Sequence, residues 1–430
     1  MKELRDLIAR NLAGSGEAMP SVCSAHPDVV AASVLLAEEW DVPLLIEATS
    51  NQVNQFGGYT GMRPADFIAF VNGVCVAHGV DPSRVRFGGD HLGPQAWRNE
   101  PAESAMAKAR TLVAAYVSAG FTKIHLDCSE GCLGEPAQVG DMVSAARAAE
   151  LARVCEDAAR NPDALSYMFG TEVPPPGGAR VEQGEAAITP TAPASARATI
   201  EAHRAAFAGL GLGDSAWRRA VGLVVQPGLE FAPDHVHRFD LATSDQLSPV
   251  LAGHQGLAFE AHSTDYQLPA VYPDLAERHF AVLKVGPALT YAYRQAIYAL
   301  DAVAGWAAAA SDRTTVSDVM EALMLEAPGN WTKHYQGDED RLRLLRHFSY
   351  ADRIRYYWTQ TRAQAAVDAL LGSLKSRDMP RPLLEQYFAA PVLARAETLG
   401  QSTPDKARAL IYAQIQEALV PYFACYGRAA

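Results

Sequence analysis

Eight short apolar runs, each closing in a polar or glycine-rich cluster, punctuate roughly the first 290 residues and constrain the fold more than any other feature. They are SVCSAH (Ser21–His26), PLLIEAT (Pro43–Thr49), VRFGGDH (Val85–His91), KIHLDCS (Lys123–Ser129), SYMFGTEV (Ser166–Val173), AVGLVVQ (Ala220–Gln226), LAFEAHS (Leu257–Ser263) and AVLKVG (Ala281–Gly286). Ala/Leu/Arg-rich stretches of helical period lie between them. Strands that alternate with helices must pair in parallel, because each crossover helix returns the chain to the same edge. A doubly wound sheet would satisfy that rule, but a count of eight favours a closed (β/α)8 TIM barrel, which takes roughly 250 residues. After Leu289 no further run reads as a strand. The expected organisation is a barrel over residues 1–290 and a helical C-terminal extension over 291–430, packed on the barrel and carrying a homo-oligomer contact. One Pro/Gly/Ala-rich passage, Val173–Ala196, reads as a long loop of the kind that covers a binding site.

Charge narrows the partners. The 430 residues carry a net charge of −12, with no basic stripe to draw nucleic acid or an anionic membrane. A phosphate-bearing ligand would therefore have to be held by local donors. No apolar run approaches the roughly 20 residues of a membrane span, and the N-terminal stretch reads as an amphipathic helix rather than a signal peptide. Six scattered cysteines without a CxxC pair read as reduced thiols. These features predict a cytoplasmic enzyme of small-molecule metabolism.

In a (β/α)8 barrel the active site is built at the C-terminal ends of the strands. Seven of the eight runs deliver a polar or ionisable group there. The second ends in Glu47 and enters an amide-rich loop with Asn51, Gln52 and Gln55, which suits the hydroxyls of a sugar. The third ends in Gly88-Gly89-Asp90-His91, where the glycines would permit a turn and a close ligand approach. The fourth carries His125 and Asp127, the fifth Glu172, the sixth Gln226, the seventh Glu260 and His262, and the eighth Lys284. Adjacent side chains on a strand face opposite ways, so Asp90 and His91 can share a site only where the pleat breaks. His91, His262 and a carboxylate make a mixed N/O set for a divalent ion. Lys284 would neutralise clustered carboxylates or meet the substrate. Backbone amides at Gly286-Pro287 could cradle a phosphate or sugar oxygen. In the tail, SYADRIRYYW (Ser349–Trp358) offers Arg353, Arg355 and Tyr356 to the barrel mouth; on a helix the two arginines diverge by about 200°, so at most one faces a ligand, and Arg353 is the candidate taken.

The motifs SVCSAHP, EATSNQVNQFGGYTGM, GGDHLGP, KIHLDCS, GTEVPPPGG, VVQPGLEF, EAHSTDYQ, LKVGPALTYAYRQAIYAL and SYADRIRYYW resemble the GatZ/KbaZ family over nearly the whole chain. That family comprises the so-called non-catalytic subunits of class II D-tagatose-1,6-bisphosphate aldolase, with relatives that look like ketose 4-epimerases. The resemblance implies a barrel of the class II aldolase type, a divalent metal (Zn2+ first, Mn2+ or Ni2+ otherwise) and a ketohexose or ketohexose phosphate as substrate. It implies metal ligation by His91 and His262, and an acid/base role for Asp90. The sequence departs from the aldolases at Gln226-Pro227-Gly228, where a histidine would be expected, so Glu172 or Glu260 would complete the metal shell. The expected reaction is C4 epimerisation by retro-aldol cleavage and re-addition, with Glu172 as third ligand, Asp90 and Glu260 moving the hydroxyl proton and Asp127 in support. The alternative is an accessory subunit that stabilises a catalytic class II aldolase subunit without turnover.

Overall fold

The structure is a computed structural model that describes residues 2–173, 188–307, 314–375, 377–401, 403 and 405–427. Among the described residues there are ten strands: β1 Met19–Cys23, β2 Leu44–Thr49, β3 Val85–Asp90, β4 Lys123–Asp127, β5 Ser166–Gly170, β6 Ala220–Val224, β7 Glu230–Phe231, β8 Val236–His237, β9 Ala258–Ala261 and β10 Phe280–Val285. Eight of them close a barrel in the order β1-β10-β9-β6-β5-β4-β3-β2. Every barrel pair is parallel. Six of the eight apolar runs contain one of these strands whole, and the first and last overlap theirs, with β1 beginning two residues and β10 one residue earlier than the run. The remaining two, β7 and β8, pair as a small antiparallel hairpin between β6 and β9, too short to leave a period in the sequence.

Period two sorts the interior into layers. It sets Met19 with Ser21, Leu45 with Glu47, Ala258 with Glu260, and Val282 with Lys284 on inward strand faces. The lower members form an apolar floor with Met168 and Val221, closed from beneath by Leu4, Leu7 and Ile8 of the N-terminal helix Lys2–Arg10. The upper members, polar or ionisable, rise toward the strands' C-terminal ends. A second, larger apolar cluster lies outside the barrel, where the strands meet their helices.

The expected boundary at residue 290 falls inside the helix Pro287–Ala307, which follows β10. The last helix, Lys406–Phe423, packs against that helix, against Ala390–Leu399 and against Pro27–Glu39. Tyr422 meets the Thr264 hydroxyl at 3.1 Å, and the Ala18 N–H donates to the Cys425 carbonyl at 2.9 Å. Barrel and tail therefore share one core. Of the expected loop, 174–187 lies outside the described residues, and the helix Pro193–Gly209 begins before its end. Among the described residues no helix is long and apolar enough to cross a membrane.

His203, on that helix, is buried beside Phe169, with ring centroids 4.6 Å apart. Its Nδ1 lies 2.8 Å from the Thr199 carbonyl and its Nε2 has no partner. Burial holds its pKa down to about 4, against 6.5 for an ordinary histidine. The unfolded chain thus binds the extra proton between these values, and the fold loses stability as pH falls through that window. Urea unfolding at pH 7 and pH 4.5 should show His203→Gln losing about 2 kcal/mol less than the unsubstituted chain between the two conditions. Equal losses would show that His203 does not titrate between folded and unfolded states.

Candidate active site

The site starts at the end of β3. The pleat breaks at His91, whose φ of 47° is left-handed, so Asp90 and His91 both reach the barrel mouth. The two glycines before them serve close packing rather than the turn. A Cβ on Gly88 would lie 2.7 Å from Glu47 Cγ, and one on Gly89 would lie 2.5 Å from Leu92 Cδ1. The missing side chain at Gly88 is what lets Glu47 lie across the axis.

Around the axis the charges interlock. Lys123 Nζ sits 2.7 Å from Glu47 Oε1 and 2.7 Å from Glu260 Oε2, all three side chains fully buried. Lys284 contacts Asp90 Oδ1 directly and lies 3.4 Å from Glu47 and 3.7 Å from Glu260. The Ser21 hydroxyl donates to Glu47. Lys123 is a member the sequence reading passed over. Its signal was present, since period two in KIHLD places Lys123, His125 and Asp127 on one face.

Above this layer stand three imidazoles. The ring centroids of His91, His125 and His262 are 5.1, 5.1 and 5.0 Å apart, a nearly equilateral triangle. Asp127 orients His91: its Oδ2 lies 2.7 Å from His91 Nδ1, while its Oδ1 accepts the Ser129 N–H and hydroxyl. His125 Nδ1 accepts the His91 backbone N–H at 3.1 Å and lies 2.9 Å from Asp90 Oδ1. Its Nε2 is buried with no partner. His262 Nε2 lies 2.8 Å from Glu260 Oε1.

The electrostatics follow from these contacts. Burial alone would raise the Asp90 carboxyl, but His91 and Lys284 hold it well below the usual carboxylate range. Lys123 and Lys284 do the same for Glu260. Burial pushes His262 down to about 3, which leaves it as the neutral imidazole that ligates metals. Four buried carboxylates (Glu47, Asp90, Asp127, Glu260) face two buried ammonium groups (Lys123, Lys284). Against the effect of burial, Asp90 and Asp127 raise the His91 imidazole above its ordinary value. Even with that ring charged, the four carboxylates outnumber these three cationic groups, an excess of negative charge that a cation would match. One ligand atom from each of Asp90, His125, Glu260 and His262 can be chosen so that all lie within 4.8 Å of one another. The orphaned His125 Nε2, the neutral His262 and the charge excess all fit a metal. His91 stands beside this set, held by Asp127. Glu172, two residues past β5 and half-buried, is outside it.

One cavity of about 350 Å³ opens above the cluster, and Asp90, His91, His262 and Lys284 form its floor. Asn51 and Gln52 line its wall, as does Arg355. The amide loop is held there by Asn54, whose Oδ1 accepts the Phe56 and Gly58 N–H groups. Gly58 is required at that point, since its φ is 55° and a Cβ would lie 2.3 Å from the Gln52 carbonyl.

Other expected binding residues are engaged elsewhere. Glu47 lies beneath the cavity in the ion cluster. Gln55 Nε2 donates to the Lys108 carbonyl at 3.0 Å. Gln226 closes a turn, its Oε1 accepting the Gly228 and Leu229 N–H groups at 2.8 and 3.0 Å. Arg353 Nε donates to the Asn330 carbonyl at 2.6 Å, away from the cavity. The residues Arg353–Tyr357 form a 3-10 turn, and it is Arg355 that reaches the mouth. Gly286 and Ala288 N–H groups, expected to cradle an oxyanion, instead donate to Asp265 Oδ1 at 3.0 and 2.8 Å.

Fold and site together define a (β/α)8 barrel with a buried carboxylate, lysine and imidazole cluster under a cavity at the C-terminal mouth. The chain belongs to the GatZ/KbaZ-like family, described as D-tagatose-1,6-bisphosphate aldolase subunit GatZ/KbaZ-like, whose match runs over residues 4–426. It is 47% identical over 427 residues to a D-tagatose 6-phosphate 4-epimerase from Agrobacterium fabrum, covering 99% of this chain and 98% of that protein. A crystal structure from Sinorhizobium meliloti, described as a probable tagatose 6 phosphate kinase, matches with a TM-score of 0.85 at 44% identity. That match covers 95% of this chain and all of the other.

Proposed function

We propose that this protein is a metal-assisted ketohexose-phosphate 4-epimerase, acting on D-tagatose 6-phosphate and D-fructose 6-phosphate. The observation that carries the reading is the buried acid and imidazole cluster that opens onto one cavity through Asp90, His91, His262 and Lys284. Relatives support the sugar, since both names above contain tagatose 6-phosphate. The reaction is chosen from the cluster, whose groups are suited to moving a proton beside a carbonyl.

His125, His262 and Glu260 would hold the metal, with Asp90 and His91 close to the same set. A divalent ion held there would supply Lewis-acid polarisation of the substrate C2 carbonyl. Asp90 takes the C4 hydroxyl proton as the C3–C4 bond breaks, giving an aldehyde and a three-carbon enediolate. The aldehyde turns within the cavity, the C3–C4 bond re-forms on its other face, and Asp90 returns the proton to the C4 oxygen. Lys284, against Asp90, keeps that carboxylate ionised and ready to accept. Asp127 holds the His91 ring, and Asn51 and Gln52 offer amides to the sugar hydroxyls.

Dialysis of the purified protein against a chelator should lower sugar-phosphate interconversion by roughly tenfold or more, with recovery on adding Zn2+, Mn2+ or Ni2+. Elemental analysis checks the metal, and a coupled assay for D-fructose 6-phosphate checks the rate. Full activity in demonstrably metal-free protein would remove the metal from this reading.

A further inference from the structure

We propose that Arg355 is the residue that recognises the phosphoryl end of the substrate. The proposal rests on the reading above that the substrate is a sugar phosphate. Its basis is a comparison of the lysine and arginine side chains that line the cavity, together with the helix N-terminus beside them. Lys284, on the floor, is matched by Asp90, Glu47 and Glu260. Arg408, on the far wall, is matched by Asp28 at 2.9 Å and Asp405 at 4.0 Å. The N-terminus of the helix after β10 is capped by the buried carboxylate of Asp265. A phosphate at any of these would displace a carboxylate or be repelled by one.

Arg355 differs. Among the described residues it makes no carboxylate ion pair within 4 Å, and Asp352 and Asp265 act on it only from a longer distance. Its Nη1 donates to the Ala351 and Asp352 carbonyls, and its Nη2 donates to the Tyr356 hydroxyl at 3.0 Å. These contacts leave the Nε–H and one Nη2–H, two donors, for a ligand. A guanidinium with donors to spare is the side chain that best binds a phosphoryl group. Its neighbourhood adds to the positive field, because the guanidinium groups of Arg353 and Arg355 both lie 4.6 Å from the Tyr356 ring centroid.

The turn that carries Arg355 is fixed to the barrel. Asp352, at φ 44°, accepts the Thr290 hydroxyl at 2.7 Å and lies 3.2 Å from Arg294 Nε. Both partners belong to the helix that follows β10. Asp352's charge is thereby used by Arg294, and the turn is held over the same cavity whose floor carries Asp90. A chain with a net charge of −12 repels a phosphate dianion overall, so an unmatched arginine at the mouth supplies the local attraction that binding needs.

The test pairs kinetics with binding on the full chain. Arg355→Gln should raise KM for D-tagatose 6-phosphate by roughly 10–100-fold, with kcat within about threefold. KM for unphosphorylated D-tagatose should not change, so discrimination between the two sugars collapses. Arg355→Lys, which keeps the charge and loses the fork, should fall between and also serves if the glutamine variant does not fold. Calorimetric titration with inorganic phosphate should show binding to the unsubstituted chain, weakened about tenfold or more in Arg355→Gln. Unchanged discrimination overturns the proposal, as does equal phosphate affinity in chain and variant or no phosphate binding at all. If the unsubstituted chain turns over neither sugar, the epimerase reading falls, and the phosphate titration alone decides for or against Arg355.

Discussion

Asp90→Asn is expected to lower D-tagatose 6-phosphate turnover by roughly 10²–10⁴-fold, the usual contribution of a positioned general acid or base. The substitution preserves shape and leaves an amide oxygen for Lys284 to meet, so the packing around β3 should survive. What it removes is the ionised oxygen that would take the C4 hydroxyl proton. Asp90 is favoured over the other carboxylates by its surroundings. Both Asp127 oxygens are engaged by His91 and Ser129, and Glu260 is shared between Lys123 and His262 below the cavity. Steady-state kinetics, with metal content measured on the same sample, check the result. Loss of rate with metal retained supports the proton-transfer role. Full activity would shift the role to Glu260 or Asp127, and loss of metal together with rate would make Asp90 a ligand first.

Lys123→Met should cost about 3–5 kcal/mol of stability, the range seen when one partner of a buried ion pair is removed. The methionine fills most of the volume, so the penalty arises from charge. Glu47 and Glu260, each 2.7 Å from Lys123 Nζ and shut away from water, would lose their closest counter-charge. Lys284 cannot replace it, since its nearest contact is Asp90 and its distances to Glu47 and Glu260 are 3.4 and 3.7 Å. Denaturant unfolding measures the loss. Adding Glu47→Gln to Lys123→Met should recover part of it, because one stranded charge disappears with its partner. A single variant that loses less than about 1 kcal/mol would show that the fold absorbs the missing lysine, and the ion cluster would then be no keystone of the barrel.

Local pattern was enough for the frame of this protein. Each apolar run was short, ended in polar residues or glycine, and was followed by a helical stretch, and each became a barrel strand. Asp90, His91, His262 and Lys284 could be set at one end of that barrel because period two and the strand ends are properties of contiguous residues. Partner choice was not so readable. That Lys123 sits between Glu47 and Glu260 depends on barrel closure and register, which set β2 two strands from β4 on one side and β9 three strands away on the other. The third imidazole near His91 and His262 comes from His125 on β4, a strand-internal residue to which sequence alone gave no role. Glu172 and Gln226 had the right chemistry at strand ends, yet one lies apart from the metal set and the other closes its own turn. Whether Arg353 or Arg355 faces the cavity was decided by a 3-10 turn, not the helix assumed from spacing. That turn is held by Asp352 against Thr290 and Arg294, residues about sixty positions earlier in the chain. Periodicity is a local property and survives in one dimension; the pairing of charges across a closed barrel is set by register and closure, which exist only after the chain has folded.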